Sequence, residues 1–322
     1  MREQMIEIIF PDGSAKDFVK GITLEEIANS ISTSLKKKAV AGKVNDQLLD
    51  LHRNIEEDAE IQIITLDSEE GIEVARHTAA HILAQAVKRI YGDVKFGVGP
   101  VIENGFYYDM DLSSSIGVED LPKLEKEMQN IVNGNLKIER VEITRKEAEE
   151  LFQNVNDHLK LELLEAIPEE EVVTIYKQGE FIDLCRGPHL PSTGYLKAFQ
   201  LTHVSGAYWR GDSNNQVLQR IYGVAFSSQK ELESYLQFVE EAAKRNHRKL
   251  GNELELFMFS EEAPGMPFYL PKGQIIRNEL ESFLREIQQK YDYQEVRTPL
   301  MMNQGLWEES GHWDHYKDNM YF

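Results

Sequence analysis

With 322 residues the chain exceeds what a single hydrophobic core usually organises, so two or three domains are expected. Its apolar and charged fractions, 41% and 28%, fit a soluble globular protein, and no apolar run reaches bilayer-spanning length, which excludes a membrane partner. The formal net charge of −20 argues against a nucleic-acid-binding surface spread over the whole molecule, and a single cysteine excludes an internal disulfide and fits a cytoplasmic protein.

The opening Met1-Arg2-Glu3-Gln4-Met5 carries no export signal. Met5 to Phe10 reads as a strand and Pro11-Asp12-Gly13 as a turn. Thr23-Leu24-Glu25-Glu26 is a capping box that opens a helix through about Ser34, and strands follow at Ala39 to Val44 and Ile61 to Thr65, with a turn near Asn45-Asp46. This order predicts a small, self-contained α+β unit of ubiquitin-like type, with no catalytic cluster and a docking or accessory role. Glu69 to Ile90 reads as a long amphipathic helix on Ile72, Ala75, Ala79, Ile82, Leu83, Ala86 and Ile90, interrupted by a polar pair, His77 and His81. A glycine- and aromatic-rich, hairpin-like stretch follows from Phe96 to Asp109. Helices are expected at Leu121 to Asn133 and Thr144 to Phe152, and strands at Val172 to Tyr176, Phe181 to Leu184 and Ala198 to His203. One connector helix is predicted from Gln229 to Leu250, then a helix from about Gln274 to Lys290 and a strand from Tyr293 to Arg297 stopped by Pro299. The basic islands Lys36-Lys37-Lys38 and Lys244 to Lys249 read equally as solvated helix ends or phosphate contacts.

The chemistry concentrates in two short patterns, His77-Thr78-Ala79-Ala80-His81 and Cys185-Arg186-Gly187-Pro188-His189. Four-residue spacing puts the first pair on one helix face, whereas Gly-Pro makes the second a tight loop. Two histidines at helical spacing are by themselves more often satisfied polar side chains than ligands; the second pattern shifts the balance to function. Thr78 stands where a zinc protease of the H-E-x-x-H type has its glutamate base, so that chemistry is not expected. Three histidines and a cysteine suit either a tetrahedral zinc site or a metal-free site that orients and deprotonates water. In a strand, Asp183 and Cys185 would share a face. Lys160, in the alternating run His158-Leu159-Lys160-Leu161-Glu162, reads by itself as a surface residue. Cys185 lacks an oxyanion-hole motif around it, which favours water as the nucleophile.

These two patterns, together with Gly99-Pro100-Val101-Ile102-Glu103-Asn104-Gly105-Phe106-Tyr107-Tyr108-Asp109 and Gly206-Ala207-Tyr208-Trp209-Arg210-Gly211-Asp212-Ser213, resemble the bacterial threonyl-tRNA synthetases, and the resemblance runs from the N-terminus to Phe322. It implies a multidomain α+β chain: a ubiquitin-like (β-grasp) TGS domain at 1–66, an α+β editing domain at 67–225, a linker helix at 226–245, and at 246–322 the truncated start of the class II antiparallel-sheet catalytic core with its motif 1 dimer region. The parent activity would be threonine–tRNA ligation with ATP, Mg and Zn, whose ligands would lie beyond this fragment. The expected partners are threonine, ATP, the acceptor end of tRNA(Thr) and a second copy in a homodimer.

For this chain the resemblance implies editing. A missing methyl group yields only about 1–3 kcal/mol of discrimination, so serine mischarged onto tRNA(Thr) needs a second, hydrolytic site. That site would consist of His77, His81, Cys185 and His189 with Lys160 and Asp183 assisting, Gly99 and Tyr108 lining the pocket, and no metal. The histidines and Lys160 would position water; Asp183 and Cys185 would recognise the substrate amine or hydroxyl. Two other readings stay open: a standalone metal-dependent aminoacyl-tRNA hydrolase, and a non-enzymatic RNA-binding or regulatory module.

Overall fold

The computed structural model describes residues 4–320; Met1, Arg2 and Glu3 of the opening segment and the terminal Tyr321-Phe322 lie outside it. Two compact units divide at Phe238/Val239.

The first unit begins with β1 (Met5–Ile9), β2 (Ala15–Val19), β3 (Ile22–Thr23), α1 (Leu24–Ile31), α2 (Thr33–Lys38), β4 (Ala39–Val44), β5 (Gln47–Asp50), β6 (Asn54–Ile55) and β7 (Ala59–Thr65). The main sheet runs β2-β1-β7-β4-β5, with β1 and β7 parallel at its centre and antiparallel pairs outside them, the ubiquitin-like arrangement. The α1 capping box is present: Thr23 Oγ1 accepts from the Glu26 amide at 3.2 Å, and the Glu26 carboxylate accepts from the Thr23 amide at 2.9 Å. Alternate residues of β1 point inward, so Ile6 and Ile8 pack against Leu24, Ile27 and Ala28 of α1.

The unit continues with α3 (Glu69–Tyr91), β8 (Val94–Phe96), β9 (Val101–Ile102), β10 (Gly105–Leu112), α4 (Leu121–Asn133), β11 (Ile138–Ile143), α5 (Arg145–Asn154), α6 (His158–Glu165), β12 (Val173–Gln178), β13 (Phe181–Leu184), β14 (Ala198–Tyr208) and β15 (Val217–Phe226). One antiparallel sheet runs β14-β15-β10-β8, with β9 hairpinned to β10; a second is β11-β12-β13. Asn104 makes the β9–β10 turn with a positive φ of 61°, a conformation asparagine tolerates better than most residues.

Two expectations change here. First, α3 is no simple amphipathic helix. Every residue from Thr78 to Val87 is buried. Its alanines let other elements approach closely on several sides, so it forms a central pillar. Second, the ubiquitin-like segment is not self-contained: besides its own core, its Val40, Ala41 and Ile64 belong to the cluster built on α3 with Phe106, Tyr108 and Met110.

The second unit contains the end of α7 (Gln229–Lys244), then α8 (His247–Glu253), β16 (Phe257–Phe259) paired antiparallel with β17 (Pro267–Tyr269), α9 (Pro271–Lys290), α10 (Gln304–Glu309) and α11 (His312–Tyr316). The single helix expected from Gln229 to Leu250 is two, because Asn246 leaves helical geometry and its side chain caps α8 by accepting from the Arg248 amide at 2.9 Å. The strand expected at Tyr293 to Arg297 is irregular chain: among the described residues no strand pairs with it, and an extended segment without a ladder partner gains nothing from strand geometry. No helix among the described residues is long and apolar enough to cross a membrane.

Candidate functional site: a histidine–cysteine cluster over a buried ion pair

His77 and His81 project from adjacent turns of α3. Opposite them, the loop after β13 brings in Cys185 and His189 around a cis Gly187-Pro188 bond. The ligand-capable atoms of the four residues lie within 4.8 Å of one another. Cys185 Sγ is 3.2 Å from His77 Nε2 and 3.3 Å from His189 Nε2. The three rings pack together, with His189 centroids 4.2 Å from His77 and 4.1 Å from His81.

Beneath the cluster Lys160 and Asp183, 3% and 1% exposed, form an ion pair at 2.5 Å. Lys160 Nζ also donates to the Gly97 carbonyl at 2.9 Å and to Tyr108 Oη at 3.1 Å, and Tyr108 in turn donates to Asp183. His81 Nε2 sits 3.3 Å from the same carboxylate. Lys160 is thus anything but a surface residue. Its alternating segment is the helix α6, whose N-cap Asp157 accepts from the Lys160 amide at 3.2 Å; the helix is capped at the point where the lysine must turn inward.

Electrostatics keep the imidazoles neutral. Burial pushes the His81 pKa down to about 3 against the pull of Asp183. Burial likewise drives His189 well below its usual range, aided by the neighbouring rings of His81 and His77. His77 is also lowered by burial, opposed by a ring hydrogen bond to the Pro188 carbonyl. Burial raises the Asp183 carboxyl, but Lys160, His81 and the bond from Tyr108 outweigh it and hold it below the usual range. Burial, then Asp183, lifts the Cys185 thiol to about 12. At neutral pH the sulfur therefore carries its proton.

The tautomer of His189 follows from Thr78. Thr78 Oγ1 donates to the Val74 carbonyl at 2.9 Å and accepts from the Leu190 amide at 2.9 Å. Its one proton is spent, so at 3.2 Å His189 Nδ1 must be the donor, which leaves the Nε2 lone pair facing the Cys185 thiol. Sequence reading treats Thr78 only as a missing glutamate; the spacing that marks the two histidines gives no hint of this role.

A cleft of about 720 Å³ opens at the cluster, lined by His77, Gly187 and Pro188, by Arg76 and Glu73 of α3, and by Glu103 and Asn104 of the β9–β10 turn. Gly99 and Tyr108 do not line it. A Cβ on Gly99 would sit 2.5 Å from the Tyr108 ring, so this glycine lets the chain pass over a tyrosine that is buried beneath the cluster. Asp157, Tyr176 and Asp50 also bear on the site and carry no sequence signal, because their partners are distant in the chain.

Comparison with known proteins gives two domain matches and a set of relatives. Residues 6–65 match the TGS domain and residues 173–222 match the family described as "Threonyl and Alanyl tRNA synthetase second additional domain". Threonine–tRNA ligase 2 of Bacillus subtilis (strain 168) is 65% identical over 317 residues, covering 98% of this chain and 50% of the relative. This chain carries the N-terminal region of the threonyl-tRNA synthetase family. Threonine–tRNA ligase of Geobacillus sp. (strain WCH70) is 56% identical over 319 residues, and threonine–tRNA ligase 1 of Bacillus subtilis is 56% identical over 318. The chain spans about half the length of these synthetases. Within the synthetase region, the second-additional-domain match contains Cys185 and His189, and the two imidazoles of α3 reach the same point from outside it.

Proposed function

We propose that this chain is the editing part of a threonine–tRNA ligase and hydrolyses the ester joining serine to tRNA(Thr), while the whole enzyme uses ATP, with Mg and Zn, to attach threonine. The observation that carries this reading is the convergence of His77, His81, Cys185 and His189 over the Lys160–Asp183 pair, with His77 lining a cleft. We divide the chain into a TGS domain at 1–66, an editing domain at 67–225, a linker at 226–245 and the start of the catalytic core at 246–322, acting in the cytoplasm.

Magnitudes select the nucleophile. A thiol at about 12 is ionised to roughly one part in 10⁵ at pH 7, so water, not Cys185, attacks the ester carbonyl. His81 and His189 are weak proton acceptors, the first at about 3. His77 is the one imidazole of the three that is not fully buried, and it lines the cleft, so it takes the proton of the attacking water. The bond from the carbonyl carbon to the ribose oxygen breaks, and that oxygen regains the proton. Lys160 and Asp183 are fixed charges beneath the site, and Tyr108 and Gly97 keep both groups from moving.

One observation favours a second reading. The donor set of three imidazoles and a thiol, within 4.8 Å, suits a tetrahedral zinc ion, whose ligands stand about 3.3–3.8 Å apart. Three of His77, His81, Cys185 and His189 would hold it and leave the fourth position to water, which it would activate as a Lewis acid.

The test is deacylation of seryl- and threonyl-tRNA(Thr) by the chain. Loss of serine alone is expected, with His77→Ala slowing kcat about 100-fold. If neither ester is cleaved, the editing assignment is lost. Stoichiometric zinc together with inactivation by a chelator would select the metal-dependent reading.

A further inference from the structure

The loop from Cys185 to Leu190 is held chiefly by side chains. The Gly187 amide donates to Cys185 Sγ at 3.3 Å, the Leu190 amide to Thr78 Oγ1 at 2.9 Å, and the His189 amide to Asp50 Oδ1 at 3.0 Å. Asp50 ends β5 of the ubiquitin-like lobe, 139 residues away from His189. Its second oxygen, Oδ2, accepts from Tyr176 Oη at 2.7 Å. Tyr176, buried on β12, reaches the carbonyl of Arg186 at 3.5 Å and packs its ring against His189 at a centroid distance of 4.4 Å. The same hydroxyl occupies the space that a Cβ on Gly187 would need, 1.8 Å away, and Gly187 has a positive φ of 74°. One carboxylate therefore fixes both the backbone of His189 and the tyrosine against which the loop folds.

We propose that Asp50 is a positioning residue for the histidine–cysteine site, so that the TGS lobe supplies part of the editing machinery rather than serving only as an accessory. Asp50 does not line the cleft; it acts through the His189 amide and Tyr176, and its charge also adds to burial in raising the Cys185 thiol and opposes burial by raising His77. A bidentate acceptor bonded to two donors sets the loop's height over α3, and with it the approach of Cys185 to His77 and His189. As far as hydrolysis is concerned, this inference rests on the editing proposal; the geometry of the loop does not.

Cys185 is the only cysteine in the chain, so its alkylation reports on the loop without background and without tRNA. The experiment compares the whole chain with Asp50→Ala and Asp50→Asn. Iodoacetamide alkylation at pH 9 is followed by mass spectrometry, alongside seryl-tRNA deacylation and thermal melting. Asp50→Ala is expected to raise the alkylation rate five- to tenfold and lower kcat at least tenfold with KM within twofold. Asp50→Asn, which keeps a carbonyl oxygen for the His189 amide, is expected to restore most of both. Should Asp50→Ala lose its cooperative melt, Asp50→Ser replaces it, since its shorter side chain cannot reach both donors. An unchanged alkylation rate in the Ala or Ser variant overturns the positioning role, as does faster alkylation with unaltered deacylation, or an Asp50→Asn rate as fast as that of Asp50→Ala, the result that loss of the charge alone would give. If the unsubstituted chain deacylates nothing, the editing proposal falls while the alkylation rates still decide whether Asp50 holds the loop.

Discussion

Three neutral imidazoles packed ring to ring make the site sensitive to acid. For each, the folded-state pKa lies below the unfolded value of about 6.5, so unfolding takes up protons as the pH falls below that value. Stability is therefore complete above about pH 6.5 and declines towards lower pH, by at most about 1.4 kcal/mol per pH unit per imidazole. For His81 the decline extends down to about pH 3. Asp183 has the same sign, but its contribution is lost only below the ordinary carboxylate range, so it is silent between pH 7 and 5. Urea unfolding at pH 7 and pH 5 is expected to show this loss, and His81→Gln to remove about one imidazole's share of the slope. A pH-independent midpoint in both proteins would contradict the burial argument.

At the scale of the elements, α3 is the piece on which the site depends. Its entry from β7 is tight: a Cβ on Gly71 would lie 2.0 Å from the Thr65 carbonyl oxygen. Alanine normally gains about 0.5–1 kcal/mol over glycine inside a helix. Here the obstacle is backbone and cannot rotate away, so the steric term of about 1–3 kcal/mol decides the sign. Gly71→Ala is expected to lower stability by about 1–2 kcal/mol in denaturant titration; a more stable variant would show that the β7–α3 junction is looser than described. The capping box of Thr23 with Glu26 was legible because it is local. The turn of Lys160 into the interior was not, because its partners Gly97, Tyr108 and Asp183 lie 63, 52 and 23 residues away in sequence.

Across the whole molecule the two units differ in how completely they cover their apolar residues. The first buries a shared core around α3. In the second, Ile276, Leu280, Phe283, Leu284 and Ile287 form an exposed helical stripe on α9. We propose that this stripe serves the homodimer that the resemblance implies for the whole synthetase. Light scattering is expected to show the chain self-associating with rising concentration, and Leu280→Glu with Phe283→Glu to return it to a monomer. A chain that stays monomeric at high concentration would remove this surface from the dimer proposal.

From residue order alone came the ubiquitin-like opening, the α3 helix, the two four-residue patterns and their likeness to threonyl-tRNA synthetases, because each rests on spacing within a few residues or on a run of consecutive identities. Only the folded chain decided that the two patterns meet, that Lys160 and Asp183 lie beneath them, that Thr78 sets the proton on His189, and that Asp50 of another lobe grips the loop. Those are contacts between segments tens to more than a hundred residues apart. Their energetics depend on burial, and burial belongs to the assembled core rather than to any stretch of the chain.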